Sequence, residues 1–181
     1  RGDLETRVWL KIDSGMHRLG LSPQAAIEAY QQLNALAVVK EIILTSHFAC
    51  ADDLQSAKTR QQIAVFELLA QALPILSKSI ANSAGILAWP ETHYQWVRPG
   101  IMLYGSSPFA DKTASELNLQ PVMTLSSRLI AIQQIKTGET VGYGSTWQAT
   151  QDTRLGVVAM GYGDGYPRHI GRGTCVLING Q

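Results

Sequence analysis

The sequence predicts an α/β fold that is followed by an all-β segment. Short apolar runs alternate with helical patterns through the first half of the chain, which is typical of parallel strands joined by right-handed crossovers. The runs are continuously apolar, as in strands that are buried on both faces. Lys11, His47 and Ser83 follow three successive runs at intervals of 36 residues. That interval is close to the roughly 31 residues per unit of an eight-unit barrel of about 250 residues.

Local sequence signals predict the helices and strands of the first half. Ser22 and Pro23 predict a helix start, with a capping hydroxyl followed by proline at the first helical position. Asp52 or Asp53 is expected to begin a second helix. Strands are expected at residues 8–10, 42–44 and 79–81, and a further extended segment at residues 97–104.

The second half is β-rich after about residue 120. Strands are expected within residues 122–135, 155–160 and 175–178, with a turn at residues 136–139 and a hairpin signal at Asn179-Gly180. We place the boundary between residues 115 and 135, and divide the chain into residues 1–120 and 121–181.

Composition excludes several classes of function. The 181 residues carry 15 basic and 14 acidic side chains, so no basic surface is expected for nucleic acid or an anionic membrane. No apolar run reaches the ~20 residues of a membrane span. Cys50 and Cys175 lack a CxxC spacing and are expected to be free thiols in a cytoplasmic protein. A complete barrel of about 250 residues does not fit this length.

Polar or glycine-rich clusters follow each predicted strand, where ligands bind in barrels and open α/β sheets. They lie at residues 11–20, 46–49, 82–85 and 97–101. Ordinary turns would explain the same pattern. Hydroxyl and backbone N–H donors in residues 82–85 and 99–101 would suit a phosphate group. Neither GxGxxG nor a Walker sequence is present, so a nucleotide is not indicated.

Individual residues leave structural and functional interpretations open. His47 is either a hydrogen-bonded structural histidine or part of a site, and the four histidines have no metal-ligand spacing. Lys11, Asp13 and Arg18 suggest a charge network. The glycine-rich segment at residues 161–165 is either a bulged loop or a functional one.

Seven stretches resemble bacterial alanine racemase, a pyridoxal-phosphate enzyme. In chain order they are WLKIDSGMHRLG, SHFACAD, NSAG, WVRPGIMLYG, PVMTLSS, VGYGSTW and LGVVAMGYGDGYPR. The resemblance implies a homodimer whose subunits have a (β/α)8 barrel and a C-terminal β-domain. Residues 1–120 would then be the later half of the barrel, which binds the cofactor, and residues 121–181 the start of the β-domain.

The activity that the resemblance implies is interconversion of L- and D-alanine, which supplies D-alanine for peptidoglycan. Two bases would move the proton at Cα, and pyridoxal 5′-phosphate would act as the electron sink. One alternative is an amino-acid racemase of broader specificity. Another is a non-catalytic pyridoxal-phosphate-binding barrel protein, against which Tyr162 argues. No metal, nucleic acid or membrane is expected to bind.

The resemblance implies three catalytic or supporting residues. Tyr162 looks like the proton acceptor for L-alanine, acting in the partner subunit's site. His47 looks like the histidine that links this tyrosine to an arginine. Arg98 looks like that arginine, which contacts the pyridine nitrogen of the cofactor.

Four further positions match residues that hold cofactor or substrate, and a fifth matches a lysine that orients one of them. Ser83, Gly100 and Ile101 look like the phosphate ligands. Arg18 looks like the contact to the cofactor phenolic oxygen and the substrate carboxylate. Lys11 looks like the lysine that is carbamylated in many family members.

The family's Schiff-base lysine, in a sequence like AVVKANAYGHG, has no counterpart. Lys40 ends a similar run, but Glu41 follows, and we interpret Lys40 as a loop residue ahead of a strand. The covalent lysine and first barrel strands are therefore expected before Arg1, and the remaining β-domain after Gln181. The 181-residue piece alone is expected to be inactive.

Overall fold

A computed structural model describes residues 5–171 and 173–181. The chain divides into two compact units, Arg1–Met123 and Thr124–Gln181. Within the described ranges, no helix is long and apolar enough to cross a membrane.

The first unit contains a three-stranded parallel sheet. Its strands are β1 (Thr6–Lys11), β2 (Val39–Thr45) and β3 (Ser77–Ser79), hydrogen-bonded in the order β1-β2-β3. Lys11 is in register with Thr45, and Thr45 with Ser79. The three carboxyl ends therefore meet at one edge of the sheet, as the alternating pattern predicts.

Two helices connect these strands. α1 (Pro23–Asn34) begins as predicted, with the Ser22 hydroxyl accepting a hydrogen bond from Ala25 N at 3.3 Å. α2 spans Lys58–Ala72, so the predicted start at Asp52 or Asp53 is wrong. The Asp53 carboxylate accepts the N–H groups of residues 55 and 56 instead. That bonding closes a local turn, and the helix begins after it.

The core lies between the sheet and the helices. Phe66 from α2, Leu44 from β2 and Ile80 after β3 are fully buried, and Leu10 from β1 packs in the same cluster. The predicted apolar strand runs and the helix face therefore supply the hydrophobic centre.

Three local predictions about the first unit are wrong. β3 ends at Ser79, although Ile80 and Ala81 remain buried behind it. Ile101–Tyr104 forms a 3₁₀ helix rather than a strand, and Gly105 ends it at φ 79°. Lys40 lies within β2 rather than ahead of it, because Thr6 N donates to Val38 O and pairing with β1 begins there.

The sequence patterns missed one short helix. α3 (Ser83–Ala88) follows β3, and its Asn82 side chain accepts a hydrogen bond from Gly85 N at 3.0 Å. The chain then returns along the sheet, because Trp96 forms a parallel bridge with Ser79. This return brings the segment that contains Arg98 to the carboxyl end of β3.

The second unit is built from short antiparallel strands. They are β4 (Leu129–Ile135), β5 (Thr140–Val141), β6 (Trp147–Gln148) and β7 (Thr153–Val158). β4 pairs with β7, and β5 pairs with β6. Residues 122–128 precede β4 without forming strand, so the first predicted strand is shorter than expected.

Both predicted turns of the second unit are present. Glu139 N donates to Lys136 O at 3.0 Å, and Gly138 has φ +87°. Ile178 and Gln181 exchange backbone hydrogen bonds of 2.9 and 3.1 Å around Asn179 and Gly180, which have φ of 53° and 80°. Two positive φ values are typical of a two-residue hairpin turn. The predicted strand at residues 175–178 is absent.

Gly20 is a glycine at which we expect a large loss of stability on substitution. An added Cβ would lie 2.4 Å from the carbonyl carbon of Ile12 and 2.5 Å from Asp13 N, and φ is +133°. Gly20→Ala should therefore lower the free energy of unfolding of the full-length protein by about 2 kcal/mol or more. Urea denaturation measures this loss.

Gly163 provides the matched control for that substitution. No described atom lies within 4 Å of a Cβ added there, and its φ is not positive. Gly163→Ala should change stability by no more than about 0.5 kcal/mol. Equal midpoints for the two variants would show that the close approach at Gly20 does not constrain the fold.

Candidate active site

The predicted site residues of the first unit follow the carboxyl ends of its strands. Lys11 is the last residue of β1, and His47 is the second residue after β2. Ser83 begins α3 after β3, and Arg98 lies in the segment that returns beside β3. The parallel register therefore brings together residues from four separate stretches of sequence.

Arg98 connects the ends of β2 and β3. Its Nη1 donates to Thr45 Oγ1 at 2.9 Å and also to Ser79 Oγ, while Nη2 donates to the Ser46 carbonyl oxygen. Its backbone N–H donates to Ala81 O at 3.0 Å. Burial lowers the pKa of Arg98, but a guanidinium stays charged in proteins. The side chain is thus a fixed, half-buried cation at the sheet edge.

His47 lies half-buried near this cation. Burial lowers its pKa to about 4, and the positive charges of Arg98, Arg18 and Lys11 act in the same direction. The imidazole is consequently neutral near pH 7, where one ring nitrogen donates and the other accepts. A neutral histidine at this position can bridge a hydroxyl group and another polar side chain.

Lys11 belongs to the same electrostatic cluster. Its pKa is lowered by burial first and then by the charges of Arg98 and Arg18, while Asp13 opposes the shift. A lowered pKa increases the fraction of neutral amine, which is the nucleophilic form. The lowered pKa therefore favours the nucleophilic form of Lys11.

Asp13 shapes the loop that carries Arg18. Its carboxylate accepts the backbone N–H groups of Gly15 and His17 at 2.9 and 3.0 Å, and pairs with His17 Nδ1 at 2.9 Å. The backbone hydrogen bonds from His17 and Gly15 are the main reason that its pKa falls to about 2. Asp13 is thus ionised and already engaged by its own loop, while Lys11, Arg18 and Arg98 leave an excess of positive charge.

The three predicted phosphate ligands are Ser83, Gly100 and Ile101. Ser83 contacts Gly100, and Gly100 is next to Ile101 in the chain. The hydroxyl oxygen of Ser83, which is 5% exposed, accepts the backbone N–H groups of Gly100 and Met102 at 2.9 and 3.3 Å. Ile101 follows Gly100 directly and begins the 3₁₀ helix. These contacts join the start of α3 to the segment after Arg98.

Tyr162 lies on an exposed turn of the second unit. It begins the 3₁₀ helix Tyr162–Asp164 and is 71% exposed. The Arg168 guanidinium carbon lies 5.8 Å from the centre of its ring. The Asp164 side chain closes the turn by accepting Gly161 N at 2.9 Å. The segment is a defined turn whose phenol faces solvent in this chain.

Sequence reasoning overlooked another exposed tyrosine of the second unit. Tyr143 is 97% exposed at the start of the 3₁₀ turn between β5 and β6. Gly142 and Gly144 flank it with φ of +80° and +72°, and Thr140 Oγ1 donates to Ser145 Oγ at 3.1 Å. Its signal was the glycine on either side within VGYGSTW.

Family comparisons cover both units. The profile described as "Alanine racemase, N-terminal domain" matches residues 2–108, and "Alanine racemase, C-terminal domain" matches residues 122–181. The order of the two matches is the order of the parallel and antiparallel units.

Similar proteins and solved structures carry the same name. An alanine racemase of Vibrio parahaemolyticus is 53% identical over 184 residues, covering 100% of this chain and 51% of that protein. The biosynthetic alanine racemase of Escherichia coli K12 is 50% identical over 181 residues, covering 99% of this chain and 50% of that protein. This chain thus spans about half the length of these relatives.

The fold comparison agrees. The crystal structure of the biosynthetic alanine racemase from Pseudomonas aeruginosa has a TM-score of 0.86 at 48% identity, covering 92% of this chain and 46% of that one. The enzyme from D-cycloserine-producing Streptomyces lavendulae has a TM-score of 0.84 at 34% identity, covering 98% and 49%. The predicted fold class, part of an α/β barrel followed by a β segment, is confirmed. The chain belongs to the alanine racemase family.

Proposed function

We propose that this chain forms part of an isomerase that interconverts L- and D-alanine and so supplies D-alanine for peptidoglycan. The observation that carries the proposal is the neutral His47 beside the fixed cation Arg98 at the strand ends, in a chain of this family. In this proposal residues 1–120 are the cofactor-binding part of the barrel, and residues 121–181 begin the β-domain.

Pyridoxal 5′-phosphate fits the donor set. Arg18 and Arg98 supply positive charge at the strand ends, and Asp13 is engaged by its own loop. Such a site suits a group that carries a phosphate and a phenolate oxygen. The buried Ser83 hydroxyl adds a group that can donate to phosphate.

The proposed roles follow from these positions. Ser83, Gly100 and Ile101 would hold the phosphate. Arg18 would contact the phenolic oxygen and the substrate carboxylate. Arg98 would contact the pyridine nitrogen, since three of its five N–H donors bond to the strand ends and two remain. When bound, the cofactor delocalises the charge left at Cα after the proton leaves.

The proposed base must be a group whose pKa is lowered by its surroundings. A tyrosine phenol has a pKa near 10 in water, so the phenolate needs positive neighbours at neutral pH. Arg98 and Arg18 would supply that charge, and the neutral imidazole of His47 would link the phenol oxygen to Arg98. His47 is thus proposed to orient the base rather than to take the proton itself.

We propose that the base comes from the partner subunit of a homodimer and is Tyr143 or Tyr162. A side chain that enters another subunit must protrude from its own. Tyr143 is 97% exposed on its glycine-flanked turn, whereas Tyr162 is 71% exposed and lies beside Arg168. Tyr143 therefore suits the role better than Tyr162, although the sequence resemblance points to Tyr162.

Lys11 is proposed to be carbamylated. Its neutral amine would attack carbon dioxide, form a C–N bond and release one proton, which leaves a carbamate anion. The lowered pKa of Lys11 supports this step because it enriches the neutral amine. The carbamate would then face Arg18, whose charge already influences Lys11.

We also propose a cytoplasmic location. Cys50 and Cys175 are both free thiols, as is typical of a reducing compartment.

A racemisation assay of the full-length protein with pyridoxal 5′-phosphate tests the proposed activity. L-alanine should convert to a mixture with equal amounts of D-alanine, because the enantiomers have equal free energy. Comparable turnover of several other amino acids would favour the broad-specificity racemase. Cofactor absorption without racemisation of any amino acid would favour the non-catalytic binding protein.

A further inference from the structure

Gln62 is a buried polar residue for which the proposed chemistry has no direct use. It lies on α2 with 0% exposure, and a buried amide is costly unless its hydrogen bonds are made. Its Oε1 accepts Ala49 N at 2.8 Å, and its Nε2 donates to His47 O at 2.8 Å and to Ser14 Oγ at 3.3 Å. The amide thus holds the backbone on both sides of Phe48.

The contacts of Gln62 continue across the strand ends. The hydroxyls of Ser14 and Ser46 are 2.7 Å apart, and Ser46 Oγ donates to Ile12 O at 3.0 Å. The carbonyl of Ser46 accepts from Arg98 Nη2. One buried network therefore joins the loop after β1, the loop after β2 and Arg98.

We propose that Gln62 is a positioning residue, which fixes the His47 loop against the Ser14 loop so that the imidazole is held beside Arg98. The inference rests on the proposed racemase function. Gln62 itself contacts neighbouring protein groups, so its effect on the reaction must pass through the position of His47. Small displacements of such groups are costly, since about 1 Å can reduce a rate by about 100-fold.

The test compares Gln62→Leu with Thr59→Val in the full-length protein. Thr59 lies one turn earlier on α2, is also fully buried, and donates through Oγ1 to Cys50 O at 3.0 Å. Both substitutions remove buried hydrogen bonds from the same helix. Thr59→Val therefore controls for a general loss of stability.

Gln62→Leu should lower kcat for L-alanine on the order of 10- to 100-fold, with KM for alanine changed by less than about twofold. Thr59→Val should keep kcat near the wild-type value. Urea midpoints of both variants show how much stability each has lost. A kcat for Gln62→Leu that matches Thr59→Val at similar stability overturns the proposal.

Two further variants keep the test decisive. If Gln62→Leu does not fold, Gln62→Met keeps the length of the side chain and removes its polar atoms. If neither folds, Ser14→Ala removes one contact of Gln62 from the opposite side, and unchanged kcat there overturns the proposal. Inactive wild-type protein would instead contradict the proposed function itself.

Discussion

Replacing Tyr143 with phenylalanine in the full-length protein is expected to remove most of the L-to-D racemisation, whereas Tyr162→Phe leaves most of it. A positioned general base contributes on the order of 10²- to 10⁴-fold to a rate. Phenylalanine keeps the ring and removes only the hydroxyl that would take the proton. The loss in kcat for Tyr143→Phe should therefore lie in that range.

The two tyrosines are well matched for this comparison. Both lie in short 3₁₀ turns of the second unit, and both are largely exposed. Neither ring is packed in a core, so each substitution should leave the stability of its turn nearly unchanged. A difference in kcat then reports on chemistry rather than folding.

Isotope exchange adds a readout specific to the face of Cα. In a two-base reaction, Tyr143→Phe removes only the base that acts on L-alanine. D-alanine should therefore continue to exchange its α-hydrogen with D₂O, while L-alanine exchanges slowly. If Tyr162→Phe has the large defect and Tyr143→Phe does not, Tyr162 is the proton acceptor, as the sequence resemblance implies.

The sequence predicted the limits of those elements that are set by hydrogen bonds between nearby residues. The start of α1 was predictable because the Ser22 hydroxyl and Pro23 act within one turn. The start of α2 was not, because Asp53 forms a turn that ends before the helix. The apolar run Ile101–Tyr104 suits a strand or a short helix equally, and only its surroundings select the 3₁₀ form.

The candidate site likewise contains residues that the sequence predicted and one that it did not. The rule that ligands gather at the carboxyl ends of parallel strands brought Lys11, His47 and Arg98 into one hypothesis, and the register of the sheet places them at one edge. Gln62 gave no such signal, since a glutamine within a helix pattern usually faces solvent. Its role depends on loops 13 and 48 residues away in sequence, which a linear pattern does not reveal.

Arg98 is the residue whose replacement should change both racemisation and the acid–base behaviour of His47. Arg98→Ala removes the cation together with three hydrogen bonds to the ends of β2 and β3. Loss of a preorganised charge of this kind reduces rates on the order of 10²- to 10³-fold. Arg98→Lys keeps a charge but loses the planar fork, so it should recover only part of the activity.

The direction of the pKa change in His47 follows from its causes. Its pKa is about 4 because of burial and then the charge of Arg98, compared with about 6.5 in an unfolded chain. Removing Arg98 makes protonation of His47 easier, so its pKa should rise, while burial and the charge of Arg18 keep it below 6.5. Arg98→Lys should leave it near 4. Titration of ¹³C-labelled histidine in the full-length variants measures the shift.

The pH dependence of the free energy of unfolding should reflect the same change in the pKa of His47. Between pH 6.5 and 4 the unfolded state binds a proton at residue 47 that the folded state excludes, so stability falls as pH falls through this window. Arg98→Ala should raise the pKa of His47 in the folded state, which narrows the pH range between the folded and unfolded pKa values. The free energy of unfolding should therefore fall less as the pH is lowered. His47→Asn provides the control, because adding Arg98→Ala to it should leave the pH slope unchanged. An equal effect of Arg98→Ala in both backgrounds would mean that its charge acts on another group than His47.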